Sequence, residues 1–357
     1  MNAQTLSLLQ ELTDANGPPG YEGAIADIVA KHLQDFCDVD RDNLGSVIAR
    51  KDGGAGGPKV ILAGHMDEIG FIVKHVTDKG FIRFHGLGGW LDQVVLAQRV
   101  IVQTSKGPVE GVVGARPPHL TPADERGKMV TVEKMFIDVG ARNGKQAQDT
   151  LGIRPGDAIV PASKFTPLAN RKMLLAKAWD DRVGVALMVD ALRALRGKKH
   201  PNVLYGAGTT QEEVGLRGAQ TTVQAVSPDV GLVLETAIAG DVPGIEEDGN
   251  PKLGLGVAIY VFEGSAIPNL KLRDLALDIC RKQKIKHQVA FLAQGGTDAG
   301  RIHVHARGVP SLVISVPTRH IHTPAGVLQT DDYDAALKLT LEMIRALDAK
   351  TVASLTR

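Results

Sequence analysis

The spacing of apolar positions along the chain changes in character twice. Near the start, Leu6, Leu9 and Leu12 recur on one helical face until Gly17-Pro18-Pro19-Gly20 imposes a turn. A second helical stripe follows through Ile25, Ile28, Leu33 and Phe36, and then come strand-like runs at 46–49 and 59–63. Between about 72 and 165 helical spacing disappears, and short β-like runs at 80–84, 99–102 and 157–161 are separated by Gly, Pro and Asp. Beyond residue 170 strands and helices alternate. A helix opening near Trp179 has Val183, Leu187, Ala191 and Leu195 on one face; it is followed by a strand at 203, a helix after Leu216 and a strand at 230, and a final helix lies near 334–347. This alternation predicts an α/β fold, a mostly parallel sheet covered by helices. The expected organisation is an α/β catalytic domain built from 1–71 and 166–357, interrupted by a small β-barrel at 72–165.

Composition narrows the class without changing this picture. Of 357 residues, 43% are hydrophobic and 23% charged, enough for a sizeable core in a soluble protein. A formal net charge of +1 removes any electrostatic case for nucleic acid or an anionic membrane as a partner. No apolar run approaches the length of a membrane span and the first residues do not read as a leader, so the expected location is the cytoplasm. Cys37 and Cys280, placed in helices, are expected to be reduced core residues without catalytic duty.

The chemistry is concentrated where strands end. After the apolar run 203–207, Thr209-Thr210-Gln211-Glu212-Glu213-Val214-Gly215 carries two adjacent carboxylates whose side chains diverge, one able to bind a metal while its neighbour faces the water that the metal activates. Glu-Glu on a solvated turn is the bland alternative. After 60–63 comes Gly64-His65-Met66-Asp67-Glu68, in which Asp67 lies on the same side of an extended chain as His65 and either fixes the imidazole or orients the catalytic glutamate. In Ala178-Trp179-Asp180-Asp181-Arg182, one aspartate can cap the following helix while the other binds metal, and Arg182 can neutralise whichever carboxylate is left over. Glu235 ends the run 230–234, and His322 follows the run 311–315. Open α/β sheets bind ligands outside the carboxyl ends of their strands, so these residues converge as the layout of a two-metal hydrolase. His303 and His305 lack carboxylate companions and are not read as ligands. Thr297 and Asp298, in the 294–300 segment, read equally as helix caps or as part of a wall against the substrate.

Four motifs, 64–70, 179–184, 211–219 and 319–322, resemble those of the TET-type metalloaminopeptidases, a family that includes glutamyl aminopeptidases and members once labelled endoglucanases. They stand in the family's order and span nearly the whole chain. The resemblance implies that Asp180 bridges two divalent ions, with His65 and Glu235 completing one site and Glu213 and His322 the other. It makes Glu212 the general base and sets Asp67 behind His65. Many members carry aspartate where Glu235 stands, and His320 occupies a position where tyrosine is frequent, near the site without ligating. Ligands without thiolate suit zinc or cobalt, with manganese possible. The implied activity is removal of N-terminal residues from short peptides, with metal-bound hydroxide as nucleophile. The implied assembly is a homododecamer built from dimers, with the barrel serving association. The competing readings are a two-metal deacetylase or dipeptidase and a noncatalytic, metal-stabilised assembly protein, which an intact Glu212 argues against. A sugar-binding role finds little support in 4% aromatic residues. The loop 236–249, with Asp241, Glu246, Glu247 and Asp248, is expected to border the side-chain pocket, its acids either facing inward or forming a solvated turn.

Overall fold

The computed structural model describes residues 1–54, 56–245 and 249–356. Four strands that read as apolar runs, Val203–Thr209, Lys59–His65, Val230–Ile238 and Ser311–Arg319, lie side by side and parallel at the centre of an eleven-stranded sheet. Antiparallel strands extend it: Val47–Asp52 and Asp38–Arg41 on one side, Gly326–Gln329, Met173–Ala176 and Thr166–Pro167 on the other. The pair Val257–Glu263 and His287–Leu292 branches from Ser311–Arg319. Burial on both faces explains why the central strands carry near-continuous apolar runs rather than alternating ones.

Helices cover both faces. The largest core cluster lies on one face, beneath Ala3–Asp14, Gly23–Leu33, Trp179–Ala194, Leu270–Gln283 and Thr330–Ala346; a smaller one lies under Arg217–Val226 and Ala299–Ile302 on the other. The helix Trp179–Ala194 departs from its sequence reading. Instead of one apolar stripe it is buried on all sides over most of its length, because the flanking helices close over its outer face, and even Arg182 and Asp190 are inside. It also approaches the sheet closely. A Cβ on Gly184 would overlap the Leu234 carbonyl and the Asp181 carboxylate, and one on Gly64 would lie 2.8 Å from the Gly184 carbonyl carbon, so glycine at both positions permits the contact.

The β-rich middle closes into a six-stranded barrel, in spatial order Gly70–Val76, Ile82–Leu87, Phe136–Asp138, Gly107–Gly114, Arg99–Thr104 and Ala158–Pro161, around a core of Phe71, Ile82, Val100, Val102, Ile137 and Ile159. Trp90 stacks on Phe71 at 4.4 Å and donates to the Gly70 carbonyl at 2.8 Å. Cys280 lies in a helix as expected, whereas Cys37 falls in the turn after Gly23–Leu33; both are buried free thiols. No helix among the described residues is long and apolar enough to cross a membrane.

Candidate active site

The central strands deliver their chemistry to one edge of the sheet. His65 is the last residue of Lys59–His65, and the parallel register sets Thr209 opposite it, so the turn after Val203–Thr209 carries Glu212 and Glu213 past the imidazole. Glu235 sits within Val230–Ile238, and His322 lies in the turn between Ser311–Arg319 and Gly326–Gln329. Asp180 enters from the first turn of Trp179–Ala194, where the Asp180–Asp181 peptide is cis and Trp179 donates to the Gly326 carbonyl at 3.1 Å.

Asp180 stands at the centre. Its Oδ1 is 2.9 Å from His65 Nε2 and its Oδ2 3.2 Å from His322 Nε2. His322 Nε2 is also 3.5 Å from Glu213 Oε1, while His65 Nε2 lies 3.9 Å from an oxygen of Glu212 and 3.9 Å from one of Glu235. Each ring is held through its other nitrogen by a backbone carbonyl, His65 by Asp67 at 3.0 Å and His322 by Gly89 at 2.8 Å. A carbonyl only accepts, so Nδ1 carries hydrogen in both rings and Nε2 faces the cluster.

The two alternatives for Asp67 resolve into a division of labour. Its carboxylate accepts the backbone N–H groups of Glu212 and Glu213, each at 3.0 Å, and reaches His65 Nδ1 only at 3.4 Å, so the carboxylate fixes the glutamate turn while the carbonyl fixes the ring. Glu22 adds a second clamp by accepting from the N–H of Gln211, whose φ is 55°. Of the aspartate pair, Asp181 caps: it accepts from the Gly184 N–H at 3.0 Å and the His65 N–H at 3.1 Å, leaving Asp180 to face the imidazoles. Arg182 does not neutralise either one. It points away to Glu68 and to the carbonyls of Leu12, Ala15 and Gly17, and Lys177 meets the same Glu68 at 2.6 Å.

The electrostatics follow from this crowding. Burial raises Glu213 to about 8, with Asp180 adding to the rise and the two imidazoles opposing it. Burial likewise lifts Glu212, Glu235 and Asp181 well above the usual carboxylate range. Asp180 goes the other way: burial opposes it, but hydrogen bonds from His322 and His65 hold it below that range. Burial would lower His322, yet Asp180 and Glu213 bring it up to about 9. Glu213 Oε1 is buried without a hydrogen-bond partner. Two imidazoles do not balance the carboxylates of Asp180, Asp181, Glu212, Glu213 and Glu235, and the donor set fits divalent cations: ligand atoms of His65, Asp180 and Glu213, and of His65, Asp181 and Glu235, lie within 4.8 Å of one another.

The cluster opens into a cavity of about 670 Å³. The 294–297 segment lines it, and Thr297 also accepts the Ala299 N–H at 3.2 Å, so it caps the short helix and borders the cavity. Asp298 does not cap; its carboxylate takes the hydroxyl hydrogen of Thr209 deep in the site. His320 borders the cavity, and His303 lies outside it, bonded to the Ala299 carbonyl. Two contributors escaped the sequence reading. Tyr260, on an apolar strand, lines the cavity with no signal beyond residue type, and the Gly89 carbonyl is a backbone atom that no side-chain pattern reports.

An α/β sheet that gathers buried carboxylates and imidazoles at its strand ends defines a metal-dependent hydrolase. The model of the M42 glutamyl aminopeptidase family matches residues 45–339, and a second, shorter model, AMPT, matches 3–27. The structure is similar to a TET aminopeptidase from the marine sediment archaeon Thaumarchaeota archaeon SCGC AB-539-E09, with a TM-score of 0.96 and 43% identity over 99% of both chains. It also resembles the TET1 peptidase of Pyrococcus horikoshii, described as assembling into a tetrahedron or a large octahedral shell, with a TM-score of 0.85 and 30% identity over 95% of this chain and 99% of that one. In sequence it is 34% identical to a lysyl aminopeptidase of Pyrococcus furiosus over 95% of this chain and 96% of the other. The chain belongs to the M42 glutamyl aminopeptidase family. It is a peptide-bond hydrolase that uses metal.

Proposed function

We propose that this aminopeptidase works with two divalent ions held by His65, Asp180, Glu213, Glu235 and His322, with Asp180 shared between them. One observation carries the reading: the two oxygens of Asp180 face two different imidazoles, at 2.9 and 3.2 Å, with Glu213 and Glu235 on opposite flanks. The donor set suits zinc or cobalt, then manganese. When bound, such ions lower the pKa of a water and polarise the carbonyl it attacks.

The protein's own residues do the rest. Glu212 lies beside the ligand set, and its burial raises its proton affinity toward that of a working general base. It takes a proton from the attacking water and delivers it to the departing amine, so it begins and ends each turnover ionised. Asp67 holds Glu212 and Glu213 in place through their backbone N–H groups. The acid-rich end of the cavity suits a free N-terminal amine, which makes short peptides the substrates and N-acylated chains poor ones. The inserted barrel, 72–165, exposes Leu91, Leu120 and Met129, and these support a role in association. The reading includes a homododecamer built from dimers and a cytoplasmic location; support for a large assembly comes from the Pyrococcus horikoshii relative, described as forming a tetrahedron or a large octahedral shell.

The test is metal content per subunit, together with hydrolysis of free and N-acetylated peptides by chelated and by zinc-, cobalt- and manganese-loaded protein. The expected result is two ions per subunit and cleavage of free N-termini only. Glu212→Gln should keep both ions and lose about a hundredfold or more in kcat. A single ion, or activity in Glu212→Gln within twofold of the parent, refutes the assignment; cleavage only of acylated substrates transfers it to a deacylase.

A further inference from the structure

The cavity is lined by two chemically distinct groups of residues. One is the acid and imidazole cluster. The other is apolar and comprises Leu216, Ile238, Val242, Ile245, Tyr260 and Leu292. Among the described residues that line the cavity there is no lysine or arginine, and every acidic one, Asp180, Glu212, Glu213 or Glu235, belongs to the cluster itself. We infer that the recess receiving the side chain of the substrate's N-terminal residue is this apolar wall, so the preferred substrates begin with a neutral, apolar residue such as leucine or methionine. The inference rests on the aminopeptidase reading and deepens it.

Three observations support it. First, Ile238 and Ile245 keep 46% and 43% of their surface exposed although they border a concave wall, so nearly half of each apolar side chain is left uncovered. Second, Ile238 ends the strand that carries Glu235, and Tyr260, a buried residue of a neighbouring strand, borders the same cavity as Glu235 and Asp180, so the wall begins where the substrate's amine end must lie. Third, the acid of the neighbouring loop that the sequence nominated for attracting a basic side chain is already engaged. Asp241 accepts from Arg319 Nε at 2.9 Å and from the Leu253 N–H at 3.2 Å, and it does not line the cavity. The other three nominated acids, Glu246, Glu247 and Asp248, lie outside the described residues.

A charged side chain entering this wall gives up water without gaining a partner, whereas an aliphatic one gains by leaving water. The preference inferred for this chain differs from the glutamate and lysine that the names of the family and of its Pyrococcus furiosus relative carry.

The experiment is a kcat/KM comparison of leucyl, methionyl, alanyl, glutamyl and lysyl p-nitroanilides and matching tripeptides on the metal-loaded full chain. Leucyl or methionyl substrates should exceed glutamyl and lysyl ones by about a hundredfold. Ile238→Glu and Ile245→Glu, both at exposed positions, should each raise the lysyl-to-leucyl ratio by about tenfold or more. A parent enzyme that prefers lysyl or glutamyl substrates overturns the inference while leaving the aminopeptidase reading intact. So does a ratio that neither variant moves. Absence of cleavage at any free N-terminus, in every metal form, overturns both.

Discussion

Replacing Asp67 with asparagine separates its two duties, because only the carboxylate, not the carbonyl that holds His65, is changed. The carboxylate accepts the N–H groups of Glu212 and Glu213, each at 3.0 Å, at a site with no solvent exposure. Hydrogen bonds to a charged acceptor contribute about 2 kcal/mol each, against about 1 for a neutral one. Asparagine offers one acceptor oxygen and turns its NH2 group toward the second N–H, so one bond weakens by about 1 kcal/mol and a buried donor is left unsatisfied at a cost of about 2 kcal/mol. The total, about 3 kcal/mol, is divided between stability and displacement of the glutamate turn. Spent wholly on the turn, it corresponds to about a hundredfold in kcat/KM. Asp67→Asn should therefore lose between about tenfold and a hundredfold in kcat/KM, and a similar factor in metal affinity measured by chelator competition. Activity and metal affinity within twofold of the parent, with the full 3 kcal/mol appearing in the unfolding free energy, would show that Asp67 supports the fold but not the site.

Three further outcomes follow from other contacts. In the metal-free protein His322 is raised to about 9 and contributes stability that is present below its unfolded value near 6.5 and lost as pH rises through 9; Glu213, raised to about 8, favours its protonated form and also costs stability as pH rises from 4.5 to 8. Chelated protein should thus melt at progressively lower temperature between pH 5 and 9, and the rise in Tm on adding zinc should grow over the same window, because binding needs neutral His322 and ionised Glu213; a zinc-induced shift independent of pH would contradict this. Glu68→Gln strands the buried charges of Lys177 and Arg182 and should cost about 3–5 kcal/mol in urea unfolding, with a loss under 1 kcal/mol counting against the buried triad. Gly184→Ala forces a methyl against the Leu234 carbonyl and the Asp181 carboxylate, so a loss of about 3 kcal/mol is expected together with weakened metal binding, and a variant that binds metal normally would show that the helix can retreat without moving Asp180.

What the sequence disclosed and what it hid divide along a physical line. Strand-end chemistry was legible because a buried parallel strand announces itself as an apolar run, and polar residues at its end stand out against it: His65, Glu212 and Glu213 were found that way. The parallel centre of the sheet and the barrel were legible from the change in period, whereas the antiparallel strands that flank that centre were not. The helix Trp179–Ala194 was misread because periodicity assumes one wet face, and this helix has none; its Val183, Leu187 and Ala191 are no more buried than Val185 or Val189 between them. Arg182 was assigned to its sequence neighbours, but the Ala3–Asp14 helix brings the carbonyl of Leu12 and the segment after it brings those of Ala15 and Gly17, partners that lie 165 to 170 residues away in the chain. The strand pair Val257–Glu263 and His287–Leu292 also went unread, and with it Tyr260, since an aromatic on an apolar strand reads as core.

The two histidines of the cluster show why the barrel is more than an appendage. His65 is oriented from within the sheet, by the carbonyl two residues along its own chain, whereas His322 is oriented by the Gly89 carbonyl, which follows the barrel strand Ile82–Leu87. The room for that contact is narrow: a Cβ on Gly89 would lie 3.1 Å from His322 Nδ1, and one on Gly88, where φ is 83°, would lie 3.0 Å from a Glu213 oxygen. The orientation of His65 therefore depends on the sheet alone, and that of His322 also on how the barrel is seated. On the proposed two-ion reading, a substitution that shifts the barrel should therefore weaken the ion on the His322 side before the other, and stepwise chelation with metal content measured per subunit would check this. That asymmetry follows from backbone geometry, and it ties the chemistry of the sheet to whatever surface the barrel rests against.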